Sequence, residues 1–312
     1  MQVDGSFESL DLKWESCFMG AITEAQQTIV DNAVSEISHI ATLPEITLKI
    51  IELVEDPSST AQDLHNIISN DPALCSRILK VVNSAFYGLP RQIGSINRAI
   101  VLLGLNAVKN IAIAASLTKL FRGGDLCSNF SAKDLWVHSI ATAAASKLIC
   151  DQLHLGLADE AFLAGLIHDI GIMVEMQAMR HELLQVFEDI KFDDDGVPDR
   201  DMIEAENRLL GADHQAFGAG LCEAWKFPKS FTYVTRHHHE PQELPVANRM
   251  LASIVYVADR VAGQAGYGFR ADLMDLTISP EAVADLGITL EQIDSVREGL
   301  PQAFDDIEAT FS

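Results

Sequence analysis

Apolar positions along the chain recur with a helical period wherever they cluster. Ile46, Ile50, Leu53 and Val54 mark one stripe at i, i+4, i+7 and i+8, and Leu74, Ile78, Val81 and Val82 mark another. Strand-like alternation with period two is almost absent, so the pattern predicts an all-α protein. The punctuation agrees. Asn70-Asp71-Pro72 offers a cap followed by a proline in the first turn, where the missing N–H would be unpaired anyway. Gly88 with Pro90, Gly123-Gly124 and Gly156 end apolar runs.

These breaks divide the chain into parts. Residues 1–35 read as an N-terminal helical extension, 36–124 as a first helical block, 125–265 as a second block, and 266–312 as an acidic helical tail. The tail has helix starts near Ser279-Pro280-Glu281 and Thr289-Leu290-Glu291, and is expected to be a packed cap or an interaction surface. Asp193-Asp194-Asp195-Gly196-Val197-Pro198 separates helices in the second block. With Gly196 as the sixth position of a calcium loop, the first and twelfth ligands would be Lys191 and Met202, so a solvated turn is expected instead.

Composition narrows the functional class. The chain has 312 residues, 48% hydrophobic and 21% charged, the profile of a folded protein with room for one large domain or two. Its 22 Lys and Arg against 45 Asp and Glu give a net charge of −23, which repels nucleic acid and anionic lipid at long range. Neither is an expected partner. The longest apolar stretches, 99–105 and 111–117, fall far short of the roughly 20 residues that cross a bilayer. The start MQVDGSFESLD lacks the features of an export signal, and Cys17, Cys75, Cys127, Cys150 and Cys222 form no CxxC pair, so a cytoplasmic location is expected.

One stretch opposes the acidic background. From Ala73 to Gly124 there is no Asp or Glu, yet Arg77, Lys80, Arg91, Arg98, Lys109, Lys119 and Arg122 are present. Either these cations pair internally with acidic parts of the chain, or they form a site for a signalling protein partner or a small anionic ligand, a nucleotide included. Near its centre, Asn83-Ser84-Ala85-Phe86-Tyr87-Gly88-Leu89-Pro90-Arg91 combines aromatic groups, a turn and a cation, which points to recognition through Arg91 and Arg98.

Polar residues interrupt apolar helix faces in the second block. A helix over 161–170 sets Ala161, Ala164, Gly165 and His168 on one face, with Asp169 following. Leu135, His138, Ala141, Thr142 and Ala145 share a second face, and Leu251, Val255 and Asp259 a third. An unpaired carboxylate in a helix core costs several kcal/mol. His138, His168, Asp169 and Asp259 therefore form either a buried polar network or a site for a divalent transition metal. Imidazole with carboxylate favours Fe, Mn, Zn or Ni. His214 on a face with Phe217, Gly218 and Leu221, and His237-His238-His239-Glu240, offer donors for a second ion or an anion, although the consecutive histidines also suit a solvated helix end. His39, His65, His154 and His181 are expected to be hydrogen-bonded core residues, not ligands.

His168-Asp169-Ile170-Gly171, after Phe162-Leu163-Ala164-Gly165-Leu166-Ile167, resembles the HDIG core of the HD superfamily of metal-dependent phosphohydrolases. His138, His214 with Trp225-Lys226-Phe227-Pro228, His238-His239-Glu240-Pro241 and Ala258-Asp259-Arg260 follow in a similar order. Leu43-Pro44, Ile68-Ser69-Asn70-Asp71-Pro72 and Val82-Asn83-Ser84-Ala85-Phe86-Tyr87-Gly88 resemble the HDOD domain, an HD-related output domain of bacterial signalling, and the resemblance covers about residues 36–262. It implies an HD-like helical bundle with an N-terminal HDOD sub-domain. It also implies one metal held by His138, His168, Asp169 and Asp259, with His214, His238 and His239 serving a second metal or a phosphate. Cyclic dinucleotide phosphodiesterases of the HD-GYP branch read HDIGK, with a GYP element after HHE. Here Ile172 replaces the lysine and Pro241-Gln242-Glu243-Leu244-Pro245 replaces GYP.

Two functions follow. One is a signalling output or regulatory module with an HD-type metal site and no strong catalytic activity. The other is a metal-dependent phosphohydrolase acting on a phosphoester or nucleotide, in which a metal activates water.

Overall fold

The computed structural model describes residues 22–40, 45–56, 58–118, 120–121, 125–127, 130–193 and 197–311. It is helical almost throughout. The N-terminal part runs through α1 (Glu24–Ile40), α2 (Glu45–Glu55), α3 (Ala61–Ser69), α4 (Pro72–Val82), α5 (Ile96–Leu103) and α6 (Leu105–Leu117). A two-stranded antiparallel ribbon, β1 (Asp125–Cys127) with β2 (Phe130–Ser131), leads into α7 (Ala132–Leu153). Then come α8 (Ala158–Ile167), α9 (Ile170–Ala178), α10 (Arg180–Asp189), α11 (Met202–Leu209), α12 (His214–Ala224), α13 (Lys229–His237) and α14 (Met250–Gln264). The helices α15 (Pro280–Leu286) and α16 (Leu290–Phe311) complete the fold.

Local chemistry sets the helix starts. Thr60 and Asp63 form a reciprocal capping box on α3, and Asp71 caps α4 ahead of Pro72. Ser95, Ser131, Asp213 and Ser279 each accept a hydrogen bond from a first-turn N–H of α5, α7, α12 and α15. The second apolar stripe behaves as its period requires, with Leu74, Ile78, Val81 and Val82 all buried.

The alanine-rich α7 lies at the centre, with α8, α14 and α16 packed around it. Small residues allow the approach: a Cβ on Gly165 would lie 2.7 Å from Ser146 Oγ and 2.8 Å from the Thr142 carbonyl oxygen. The N-terminal block meets this layer through α6 on α8 and α4 on α16. Tyr87 donates a hydrogen bond to Asp159 Oδ1 at 3.1 Å, Phe86 packs on Phe162 with centroids 5.7 Å apart, and Lys147 sits 5.0 Å over the Phe86 ring. The aromatic pair expected to recognise a partner thus docks one block on the other.

Several expectations need correction. The boundary at residue 35 falls inside α1, whose Val30 packs at Gly220 of α12, so the described residues 24–35 belong to the bundle. The helix expected over 161–170 stops at Ile167, and His168-Asp169 form a turn before α9, with His168 Nδ1 donating to the Gly165 carbonyl at 2.7 Å. His154 and His181 are exposed, and His65 is half-buried beside Ser69. The side chain of His39, residues 1–21, Gly123-Gly124 and Asp194-Asp195-Gly196 lie outside the described residues. The apolar run Ala158–Ala178 is mostly buried inside the bundle.

Candidate metal centre

Five imidazoles converge between α7, the α8–α9 turn, α12, the end of α13 and α14. Four of them have Nδ1 committed to an oxygen: His138 to the Tyr267 carbonyl at 3.3 Å, His168 to that of Gly165 at 2.7 Å, His238 to that of Thr235 at 3.2 Å, and His214 to Glu206 Oε2 at 2.8 Å. With the ring proton on Nδ1, each ring in its neutral form presents an Nε2 lone pair to the interior.

The Nε2 atoms face carboxylate oxygens, which are acceptors as well. His138 Nε2 lies 2.9 Å from Asp259 Oδ1, and His168 Nε2 lies 3.1 Å from Asp169 Oδ2. On the other side, His238 Nε2 lies 3.2 Å from Asp169 Oδ1, His214 Nε2 3.1 Å from His239 Nε2, and His239 Nε2 3.3 Å from Asp272 Oδ2. Asp169 therefore divides two donor groups. Its Oδ2 lies 3.1 Å from His168 Nε2 and 3.9 Å from His138 Nε2; its Oδ1 lies 3.2 Å from His238 Nε2 and 4.0 Å from His214 Nε2, the two histidines that cluster with His239 and Asp272.

Electrostatics describes the same conflict. Burial disfavours the charged form of His138, yet Asp259, Asp169 and Asp272 outweigh it and raise the imidazole to about 9. Burial, then the Asp169 and Asp259 charges, pushes Asp272 up to about 8. Burial also raises Asp169, but His168 and His238 overcome it and hold this carboxylate well below its ordinary value. His239 is driven well below its ordinary value by burial and by His238, His214 and Arg260.

A cation resolves these contacts. His168 Nε2, His238 Nε2, Asp259 Oδ2 and both oxygens of Asp169 and of Asp272 are buried without a hydrogen-bond partner. Orphaned charges in a low-dielectric interior cost several kcal/mol each unless paired or coordinated. Imidazole nitrogen with carboxylate oxygen is a donor set for Fe, Mn, Zn or Ni. The residues fit a divalent metal on each side of Asp169.

The structure gathers His138, His168, Asp169, Asp259, His214, His238 and His239 in one place. It leaves Arg91 and Arg98 exposed on the N-terminal block. The basic stretch that contains them is partly internal: Lys109 is buried, donating to the Leu53 carbonyl and, at 2.7 Å, to Ser59 Oγ. Lys119 and Arg122 lie outside the described residues.

Two site residues escaped sequence reasoning. Asp272 stands in an aperiodic segment assigned to the tail. Glu206 binds both Nδ1 and, at 3.0 Å, the backbone N–H of His214. It had a signal, since Met202 and Glu206 are i and i+4 on the buried side of α11.

Fold and site together define a helical protein with a buried histidine–aspartate centre able to hold metal. The HDOD domain profile matches residues 40–241, and the chain belongs to the HDOD family. It is similar to an uncharacterised protein of Treponema pallidum, 26% identical over 252 residues, covering 76% of this chain and 45% of that relative. The chain thus spans less than half of that relative's length. Among solved structures it resembles an HDOD domain protein of unknown function from Geobacter sulfurreducens, with 23% identity, TM-score 0.69 and coverage of 89% and 98% of the two chains. It also resembles a candidate phosphohydrolase from Shewanella amazonensis, with 20% identity, TM-score 0.66 and coverage of 90% and 98%. A candidate signal transduction protein from Marinobacter aquaeolei gives 21% identity, TM-score 0.72 and coverage of 95% and 67%.

Proposed function

We propose that this chain is a bacterial cytoplasmic signalling module of HDOD type, in which a histidine–aspartate metal centre fixes the packing of the helices and catalysis is weak. The supporting observation is the sealing of the site. The side chains of His138, His168, Asp169, Asp259, His214, His238 and Asp272 have 0% exposure, and that of His239 has 7%. A substrate needs a path to the donors, whereas a structural metal needs only ligands from the elements it joins. Ile172, at 0% exposure, supplies no cation near the centre.

The two-sided role of Asp169 favours phosphoester hydrolysis as the second reading. His138, His168, Asp169 and Asp259 would hold one divalent ion and His214, His238 and His239 the other, supplying Lewis acidity and an activated water. The chain itself would orient those donors through the carbonyls of Tyr267, Gly165 and Thr235 and the Glu206 carboxylate.

Elemental analysis of protein purified without a metal-binding tag tests the metal, with one or two first-row ions expected per chain and loss of them in Asp169→Ala. Wild-type protein that stays metal-free after reconstitution with iron, manganese and zinc overturns the reading. A screen of phosphomonoesters and phosphodiesters, cyclic di-GMP included, separates the two functions. Turnover on the order of 1 per second or faster, abolished by Asp169→Ala, would replace the module with the hydrolase.

A further inference from the structure

We propose that the segment joining α14 to α15 is a plug, and that Asp272 closes the second centre by taking the position an external oxyanion such as phosphate would need. This inference rests on the metal reading above and deepens it, because it names what keeps anions out.

The segment crosses the site as a strap held at several points. The Phe269 N–H donates to the Asp134 carbonyl at 3.2 Å, and the Tyr267 carbonyl accepts from His138 Nδ1 at 3.3 Å. Between them Gly268 has φ +65°, and a Cβ there would collide with the Asp134 carbonyl oxygen and come within 2.7 Å of His138 N. Only glycine lets the strap lie this close to α7, both for its left-handed backbone and for its lack of a side chain. Phe269 is buried with its ring 5.0 Å from Phe130, while Leu273 and Leu276 cover Gly263 of α14. The Tyr267 ring packs at a tilt on Phe304 with centroids 4.5 Å apart, which ties the strap to α16.

The strap delivers a carboxyl group to the site. Asp272 has 0% side-chain exposure, and both of its oxygens lack a hydrogen bond. Burying a carboxylate among His214, His239 and the carboxylates of Asp169 and Asp259 is unfavourable unless it meets a cation. It is the fourth member of a cluster of close donors with His214, His238 and His239, and Asp169 Oδ1 stands 3.2 Å from His238 Nε2 beside them. Catalytic metal sites keep a position open for substrate or water, and structural sites fill every position with protein. Asp272 makes the second centre structural. Its carboxylate is an anionic oxygen donor like a phosphate oxygen, so the two compete for one place.

Cobalt(II)-loaded protein tests this through its visible absorption, with inorganic phosphate as the probe and metal content measured on the same samples. Wild type is expected to keep its spectrum at millimolar phosphate. Asp272→Ala should change saturably, with half-saturation at least about tenfold lower than any wild-type response, the scale on which single site groups alter metal-site affinity. Should Asp272→Ala lose the second ion, Asp272→Asn decides, because it keeps the shape and removes the charge. Gly268→Ala, which pushes the strap off α7 with Asp272 intact, should respond in the same direction. A wild type that responds like Asp272→Ala, or a folded, fully loaded Asp272→Asn that does not respond, overturns the plug while leaving the metal reading intact. A wild type that binds no cobalt overturns both.

Discussion

Gly171→Ala probes how tightly the site depends on one helix contact. A Cβ at this position would lie 2.7 Å from both the Gly218 nitrogen and the His214 carbonyl carbon, and closer still to the His214 carbonyl oxygen. Carbon contacts are most favourable at about 3.5 to 4.0 Å, so relieving the contact with the His214 carbonyl oxygen requires α9 and α12 to part by about 1.5 Å. Every obstructing atom is backbone, so no side chain can rotate away. Overpacking of this kind costs about 3 kcal/mol, the upper end of the usual range. At about 2 to 4 °C per kcal/mol, Tm should fall by about 6 to 12 °C. The shift also moves His214, whose Nε2 is 3.1 Å from His239 Nε2, so the second centre should lose its ion before the first. Thermal unfolding by circular dichroism and elemental analysis would measure both effects. Gly94→Ala, with no atom within 4 Å of the new Cβ, should change stability by less than about 0.5 kcal/mol. A Gly171→Ala protein that melts within about 2 °C of wild type with its metal content unchanged would refute the reasoning.

Tyr87→Phe removes the hydrogen bond to Asp159 and should destabilise the protein by about 1 to 2 kcal/mol in urea unfolding; an unchanged midpoint would show that the two blocks are held by other contacts. Glu175 is buried beside Glu206, and burial followed by the Glu206 charge raises it well above its ordinary 4.5. The native state then keeps a proton that the unfolded chain loses, so stability falls as pH rises through the interval between the two values. Glu175→Gln should lessen that fall and gain Tm relative to wild type as pH rises above 4.5, and parallel profiles of the two proteins would count against a proton held at Glu175.

What could be read from sequence was local and periodic. The stripe of α4 and the cap at Asp71 depend on neighbours within a turn or two, so spacing reveals them. The break at His168-Asp169 was invisible because apolar residues continue from Ala161 through Met176, and the turn is set by the His168–Gly165 hydrogen bond. Asp272 was missed for a different reason. Its place depends on Phe269 packing against Phe130, a contact between distant parts of the chain that no window of sequence contains. Spacing likewise could not tell whether Phe86 and Tyr87 face a partner or the chain's own α8.

That last contact gives the metal centre a mechanical consequence. Asp159 stands in the first turn of α8 and His168 just past its last, about 13 Å apart along the axis at 1.5 Å per residue. The near end receives the Tyr87 hydroxyl from the N-terminal block, and the far end supplies Nε2 to the first centre. Between them Phe162 packs on Phe86, and Gly165 lies flush against α7. A helix of this length moves as a rod, because bending it would break its internal hydrogen bonds. Close packing on α7 also leaves small concerted shifts as the movement open to it. A change that relaxes His168 would then reach Asp159, and a partner that pulled on the N-terminal block would reach the residues that could hold a metal. The coupling is reciprocal by linkage. In a module of this family, such a rod would let occupancy of a sealed centre be read at a surface that no ligand of the centre reaches.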